Sequence, residues 1–249
     1  MIFGILGVGH LATGIVAGLL RSGFKAENIL LSPRGKAQEL SALYSIELAS
    51  DNKDVVDRAD VVLVAVRPAD APESVNGLPW REGQVIISVC AGVTIDRLQV
   101  APTRVVRAMP LTAAEINASP TVCFPALPEA TAILKHLGPV IPLESEADFE
   151  IATVNAAVYG WVQDLVRQTA EWCSEKGLDD RSARQLIANT FVAAGRIIAE
   201  KPEPMSQLLS DLVTPGGITE LGMKILSEGG HQAIWREASE AVLTRLVGK

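Results

Sequence analysis

Ile2-Phe3-Gly4-Ile5-Leu6-Gly7-Val8-Gly9-His10-Leu11-Ala12 stands at the start of the chain and decides how the rest is read. Residues 2–6 are an apolar run of strand length, interrupted at once by two glycines. A helical apolar period then begins, through Leu11, Ile15, Val16, Leu19 and Leu20. Strand, glycine turn and helix in this order are the context in which such a turn cradles a dinucleotide. Gly7 permits the tight turn. Gly9 lets a pyrophosphate lie against the backbone, beside the helix-opening residues His10 and Leu11. Ala12 takes the place of a third glycine and still allows helix and strand to pack closely.

The next strand is expected at Ile29 to Leu31. A site that prefers NAD carries Asp or Glu near this strand's end, about 20 residues past the glycines, to bind the ribose 2′-hydroxyl. Here the chain reads Ser32-Pro33-Arg34-Gly35-Lys36, with a hydroxyl, two cations and no acid. Ser32, Arg34 and Lys36 suit a 2′-phosphate; a solvated basic loop competes better for Lys36 than for Arg34. The expected cofactor is NADPH, with NADH as the alternative.

Strand and helix signals continue to alternate, which predicts a parallel sheet. Val61 to Val66 precedes Arg67-Pro68, Val85 to Val89 precedes Cys90-Ala91-Gly92-Val93, and Arg104 to Met109 closes at Pro110. Ligands of open α/β sheets collect beyond the carboxyl ends of the strands. Ala65, Val66, Arg67, Pro68, Ala91, Gly92, Met109 and Pro110 are therefore the expected lining for the nicotinamide end. Arg107 shares a strand face with Met109 and reads either as an active-site cation or as half of a structural ion pair.

From about Asp148 the strand signal disappears and long helical periods take over. One helix is expected to run to Glu175 or Lys176 and stop at Gly177. A second runs from near Asp180, expected as its cap, to Glu200, a short one starts at Met205, and a final pair spans Ile218 to Ser227 and His231 to Val247. Before that pair lies Thr214-Pro215-Gly216-Gly217-Ile218-Thr219-Glu220-Leu221. The glycines leave the backbone approachable, and the first amides of the helix attract an anion. Gly216, Gly217, Ile218 and Thr219 are expected to hold a small carboxylate, with the Thr219 hydroxyl as an attached proton donor. A loop with a good helix start is the simpler alternative. His136 reads as a helix-surface residue and His231 as a surface cap.

The composition excludes several classes. At a formal net charge of -7 with dispersed acids, the 249-residue chain lacks the basic patch of a nucleic-acid partner. Cys90, Cys123 and Cys173 form no CxxC, so neither a metal site nor a disulfide framework is expected. No apolar run reaches the roughly 20 residues of a membrane span, and a cytoplasmic, reducing setting is expected. The Ala-rich C-terminal helices carry wide apolar faces that a second copy would cover.

These motifs together resemble the pyrroline-5-carboxylate reductase family. Gly7-Val8-Gly9-His10-Leu11-Ala12 with Gly18-Leu19-Leu20-Arg21-Ser22-Gly23 is similar to its opening. Val66-Arg67-Pro68, Ser88-Val89-Cys90-Ala91-Gly92-Val93, Val105 to Pro110, Thr214 to Thr219 and Gly229-Gly230 extend the likeness along the whole chain. The resemblance implies an α/β N-terminal Rossmann-like domain with a parallel-rich sheet (residues 1–146), followed by an all-α C-terminal dimerisation domain (147–249). It implies reduction of 1-pyrroline-5-carboxylate to L-proline, and a homodimer formed through the C-terminal helices that can assemble further. The carboxylate would rest on the amides of Gly217, Ile218 and Thr219, with the Thr219 hydroxyl near the ring nitrogen. Two segments depart from the family pattern: Met109-Pro110-Leu111-Thr112-Ala113 and Asn155-Ala156-Ala157-Val158-Tyr159-Gly160. Their added bulk leaves open another imine or a keto acid as substrate, or a dinucleotide-binding protein without turnover.

Overall fold

A computed structural model gives the structure of residues 1–248; Lys249, the last residue of the expected helical domain, lies outside the described residues. Eight strands form one sheet: β1 (Phe3–Leu6), β2 (Ile29–Leu31), β3 (Glu47–Leu48), β4 (Val61–Val64), β5 (Val85–Ser88), β6 (Arg104–Met109), β7 (Thr121–Phe124) and β8 (Val140–Pro142). Their order is β3-β2-β1-β4-β5-β6-β7-β8. The first six pair in parallel, β7 turns antiparallel against β6, and β8 is parallel to β7. Chain order reverses between β1 and β4, which makes their carboxyl ends the switch point of a doubly wound sheet.

Unbroken apolar strands follow from burial on both faces. Phe3, Ile5, Leu63 and Ile87 pack on one side with Ile15, Val16 and Leu19 of α1 (His10–Arg21). Leu6, Val62, Val64 and Ile86 pack on the other, with Val55 and Val56 of α3 (Asn52–Arg58) and Ala71 and Val75 of α4 (Ala71–Val75). The intervening α2 (Ala37–Tyr44) links β2 to β3, and α5 (Pro128–Leu134) links β7 to β8.

Strand β4 ends at Val64, two residues before its expected end, and the Ala65 amide makes the last bond of its ladder with β1, to Leu6 O at 2.8 Å. The expected helix from Asp148 is two helices, α6 (Glu146–Thr153) and α7 (Asn155–Glu175), separated at Val154. Ser145 caps α6 by accepting from the Asp148 amide, and Gly177 takes φ +101° just past α7. The cap of α8 (Asp180–Glu200) is Asp179, whose Oδ1 accepts from the Ser182 amide at 3.0 Å; Asp180 is the first helical residue instead. Next come α9 (Met205–Leu212), α10 (Ile218–Glu228) and α11 (His231–Val247). His136 is not a free surface residue: its Nδ1 lies 2.8 Å from Ser22 Oγ and its ring meets Phe24 edge-on.

Residues 1–156, with 243–248, form one compact unit and residues 157–242 another. The core belongs to the first. Across α7–α11 the one buried residue among those described is Ala183, and large apolar side chains such as Trp172, Val192, Met205 and Leu212 are exposed.

Within the first unit, α1 packs tightly over the turn at Thr112–Ile116, and a Cβ at Gly18 would stand 2.0 Å from Ala114 O. Alanine is preferred to glycine inside a helix by about 1 kcal/mol, but backbone cannot yield to such an overlap without moving the helix. Gly18→Ala is expected to destabilise by about 1–3 kcal/mol, measured as a lower urea midpoint at unchanged slope.

Candidate active site

Three chain segments converge on the turn after β1. Gly7 has φ +87°, and a Cβ there would lie 2.9 Å from the Ala65 carbonyl, so no other residue fits without displacing the strand end. Its amide donates to Ser32 Oγ at 3.2 Å. The Lys36 amide donates to Val8 O at 2.8 Å, and Gly35, at φ +72°, bridges to Val8. A Cβ at Gly9 would meet nothing within 4 Å, which leaves the backbone approachable where α1 begins. Within α1 the first amide that bonds back is that of Thr13, to Gly9 O; the amides of His10, Leu11 and Ala12 point out of the helix start.

A groove of about 590 Å³ beside this turn is lined by Gly7, Ser32, Arg34, Val66 and Arg67, five of the residues expected from the sequence, and by Asn52, Asp70, Ser74 and Asn76. In this lining Ser32 is buried and Arg34 exposed; Lys36 is exposed and is not among the lining residues. Arg67 is less free than expected, since its Nε donates to Asp70 Oδ2 at 2.8 Å. A second groove of about 390 Å³ shares Arg34 and Asn52 and adds Ser50 and Lys53. Sequence reasoning missed Asn52. It follows the end of β3 as Ser32 follows β2, but a two-residue strand offers no periodicity to find it by.

Ala65 to Pro68, Ala91-Gly92 and Pro110 follow β4, β5 and β6, which are adjacent and parallel, so all emerge at one edge of the sheet. Gly92 has φ +68°, and the Val93 amide closes the turn onto Cys90 O. Burial pushes the Cys90 thiol up to about 11, so it stays neutral and inert. Met109 and Leu111 are both buried, and the Leu111 amide donates to Ser119 Oγ. Arg107 is the structural ion pair of the two readings: it bonds to Glu146 at 2.9 Å and Glu150 at 2.6 Å.

In the helical unit the Pro-Gly-Gly segment folds into a tight turn. Gly216 has φ +75°, and the Gly217 amide donates to Thr214 O at 2.8 Å. The Gly216 amide donates to Glu220 Oε2 at 2.7 Å, so both glycine amides are engaged within the chain. Those without an acceptor among the described residues belong to Ile218, Thr219 and Glu220, the first turn of α10. Glu220 was overlooked in the sequence, although an acid in a first helical turn that reaches back to an upstream amide is a known capping pattern. A groove of about 670 Å³ is lined by Gly216, Gly217, Ile218, Glu220, Leu221 and Lys224. Thr219 is exposed and is not among these lining residues. Among the described residues, no cluster of His, Cys, Asp and Glu could hold a metal, and no helix is long and apolar enough to cross a membrane.

A doubly wound sheet with a glycine turn at its switch point, followed by an all-α unit, is the architecture of a dinucleotide-binding protein. Residues 2–92 match the family model described as NADP oxidoreductase, coenzyme F420-dependent, and residues 146–248 match that of pyrroline-5-carboxylate reductase dimerisation. The chain is 30% identical over 249 aligned residues to pyrroline-5-carboxylate reductase 1 of Bacillus spizizenii, covering 92% of this chain and 83% of that one. It is 28% identical to pyrroline-5-carboxylate reductase 2 of Bacillus subtilis, covering 90% and 86%. Among solved structures, the Coxiella burnetii pyrroline-5-carboxylate reductase superposes with a TM-score of 0.84 at 25% identity, covering 98% of this chain and 96% of that one. The Plasmodium falciparum pyrroline carboxylate reductase with NADP bound has the same fold, with a TM-score of 0.88 at 21% identity, covering 100% and 97%. This chain belongs to the pyrroline-5-carboxylate reductase family.

Proposed function

We propose that this protein reduces 1-pyrroline-5-carboxylate to L-proline with NADPH. The observation that carries the reading is that a chain matching this family almost end to end keeps two turns suited to anions: one opening α1, the other opening α10. When bound, the dinucleotide supplies the hydride. Gly7, Gly9, His10 and Leu11 receive its pyrophosphate; Ser32, Arg34 and Lys36 receive the 2′-phosphate. Ala65 to Pro68, Ala91, Gly92, Met109 and Pro110 border the nicotinamide end.

The substrate carboxylate rests on the amides of Ile218, Thr219 and Glu220, in the turn shaped by Gly216 and Gly217. The Thr219 hydroxyl oxygen accepts from the N–H of the protonated ring nitrogen. A protonated imine already carries its proton, so holding it in line is the larger part of the task. Two copies of the chain associate through the exposed apolar faces of α7–α11, and a cytoplasmic setting suits its three free cysteines.

A larger imine or a keto acid is the second reading, motivated by the bulk of Leu111, Tyr159 and Trp161. Leu111 is buried, and Trp161 meets Trp235 edge-on at 5.4 Å. The five-membered ring therefore remains first. NADPH consumption is expected with pyrroline-5-carboxylate and to be weaker with six-membered or sulfur-containing rings; the reverse order selects the second reading. NADPH binding without turnover of any of them overturns both. Thr219→Ala should lower kcat about 10- to 100-fold, the value of one hydrogen bond to a charged group, and an unchanged kcat removes Thr219 from the mechanism. Arg34→Ala should reduce kcat/KM with NADPH by a similar factor of about 10 to 100 while sparing NADH, as compared in steady-state assays with each cofactor.

A further inference from the structure

Arg107 is the most deeply buried charge among the described residues, only 1% exposed, and the site above makes no direct use of it. Its Nη1 lies 2.9 Å from Glu146 Oε1 and 2.6 Å from Glu150 Oε1. Its guanidinium carbon sits 4.4 Å over the Phe149 ring. Glu146 Oε1 also accepts from the Ile95 amide at 2.9 Å, which ties α6 to the segment following β5.

This network is a poor device for stability alone. Burying the Arg107 guanidinium and the Glu150 carboxylate, with Glu146 part-exposed beside them, costs several kcal/mol per buried ion, and well-packed apolar groups often do as well or better. The pairing is also incomplete, because Arg107 Nη2 and Glu150 Oε2 are buried with no partner. What the network does supply is fixed geometry. Phe149 packs against Met109 and Val122 in one small buried cluster. The ring that carries the guanidinium therefore also backs Met109, two residues further along β6 and next to Pro110.

We propose that Arg107 is a positioning residue for hydride transfer. Held by Glu146, Glu150 and Phe149, it fixes Met109-Pro110 against the nicotinamide end; this rests on the function proposed above. It acts through packing and touches neither cofactor nor substrate.

The test uses the full-length protein with Glu150→Ala, Glu150→Gln and Arg107→Lys. Glu150→Ala leaves Glu146 as counter-ion, so the guanidinium is never unpaired. Hydride transfer in a single turnover should slow about 10- to 100-fold, the cost of a misplacement near 1 Å. NADPH affinity, measured by titration, should be unchanged. In the cofactor-free protein, amide exchange should quicken over residues 146–153 and at Met109 while β1 keeps its protection. Glu150→Gln retains an acceptor oxygen and should recover most of the rate. Arg107→Lys, a point charge without the fork, should behave like Glu150→Ala. A folded Glu150→Ala protein that transfers hydride at the wild-type rate overturns the proposal. So does a rate loss matched by an equal loss of NADPH affinity and not recovered by glutamine. A wild-type protein that binds NADPH and reduces no imine overturns the underlying reading instead, before any substitution is made.

Discussion

The constraint on which the rest of the molecule depends is the reversal of the chain between β1 and α1. Leu6 is still paired within the sheet, and α1 begins at His10. The backbone must turn within three residues, and only a glycine tolerates the conformation at position 7 beside the Ala65 carbonyl. Hydrogen bonds from both neighbouring strand ends seal the reversal: Ala65 to Leu6, Lys36 to Val8, and Gly7 to the Ser32 hydroxyl. The same bonds carry Arg34 and Val66 to the rim of one groove. Fold and site thus share a set of contacts, and a change that relaxes the turn disperses the groups around it.

Polar groups elsewhere in this unit are used for orientation in a similar way. The seven-residue α3 is too short to be stable by itself. Its terminal carbonyls are gathered from outside the helix, where Arg81 donates to Val56 O and Ala59 O, and the buried Gln84 side chain donates to the same two. Both donors stand just ahead of β5, so the helix end and the strand start are aligned together. The Arg107 network does the corresponding work for β6 and α6. By contrast, the exposed pairs of the helical unit, such as Arg167 with Asp164 and Glu171, are screened by solvent and contribute little.

What the sequence disclosed follows from how local each signal is. The glycine turn, the buried strands and the helix stop at Gly177 are written in consecutive residues, so they were legible. Asn52 was not, because a two-residue strand carries no pattern. Glu220 was visible as a residue, but its hydrogen bond to the Gly216 amide depends on the shape of the turn. The break at Val154 has neither proline nor glycine to announce it. Arg107 offered two readings until α6 was placed on the sheet, for its partners lie roughly 40 residues away and local patterning is blind to such separations.

The near-absence of interior in α7–α11 has a thermodynamic corollary. Helices that shelter almost nothing of their own apolar surface draw little stability from one another, and in the proposed dimer the second copy covers them. Their melting is then a mass-action equilibrium whose midpoint moves with the amount of protein in solution.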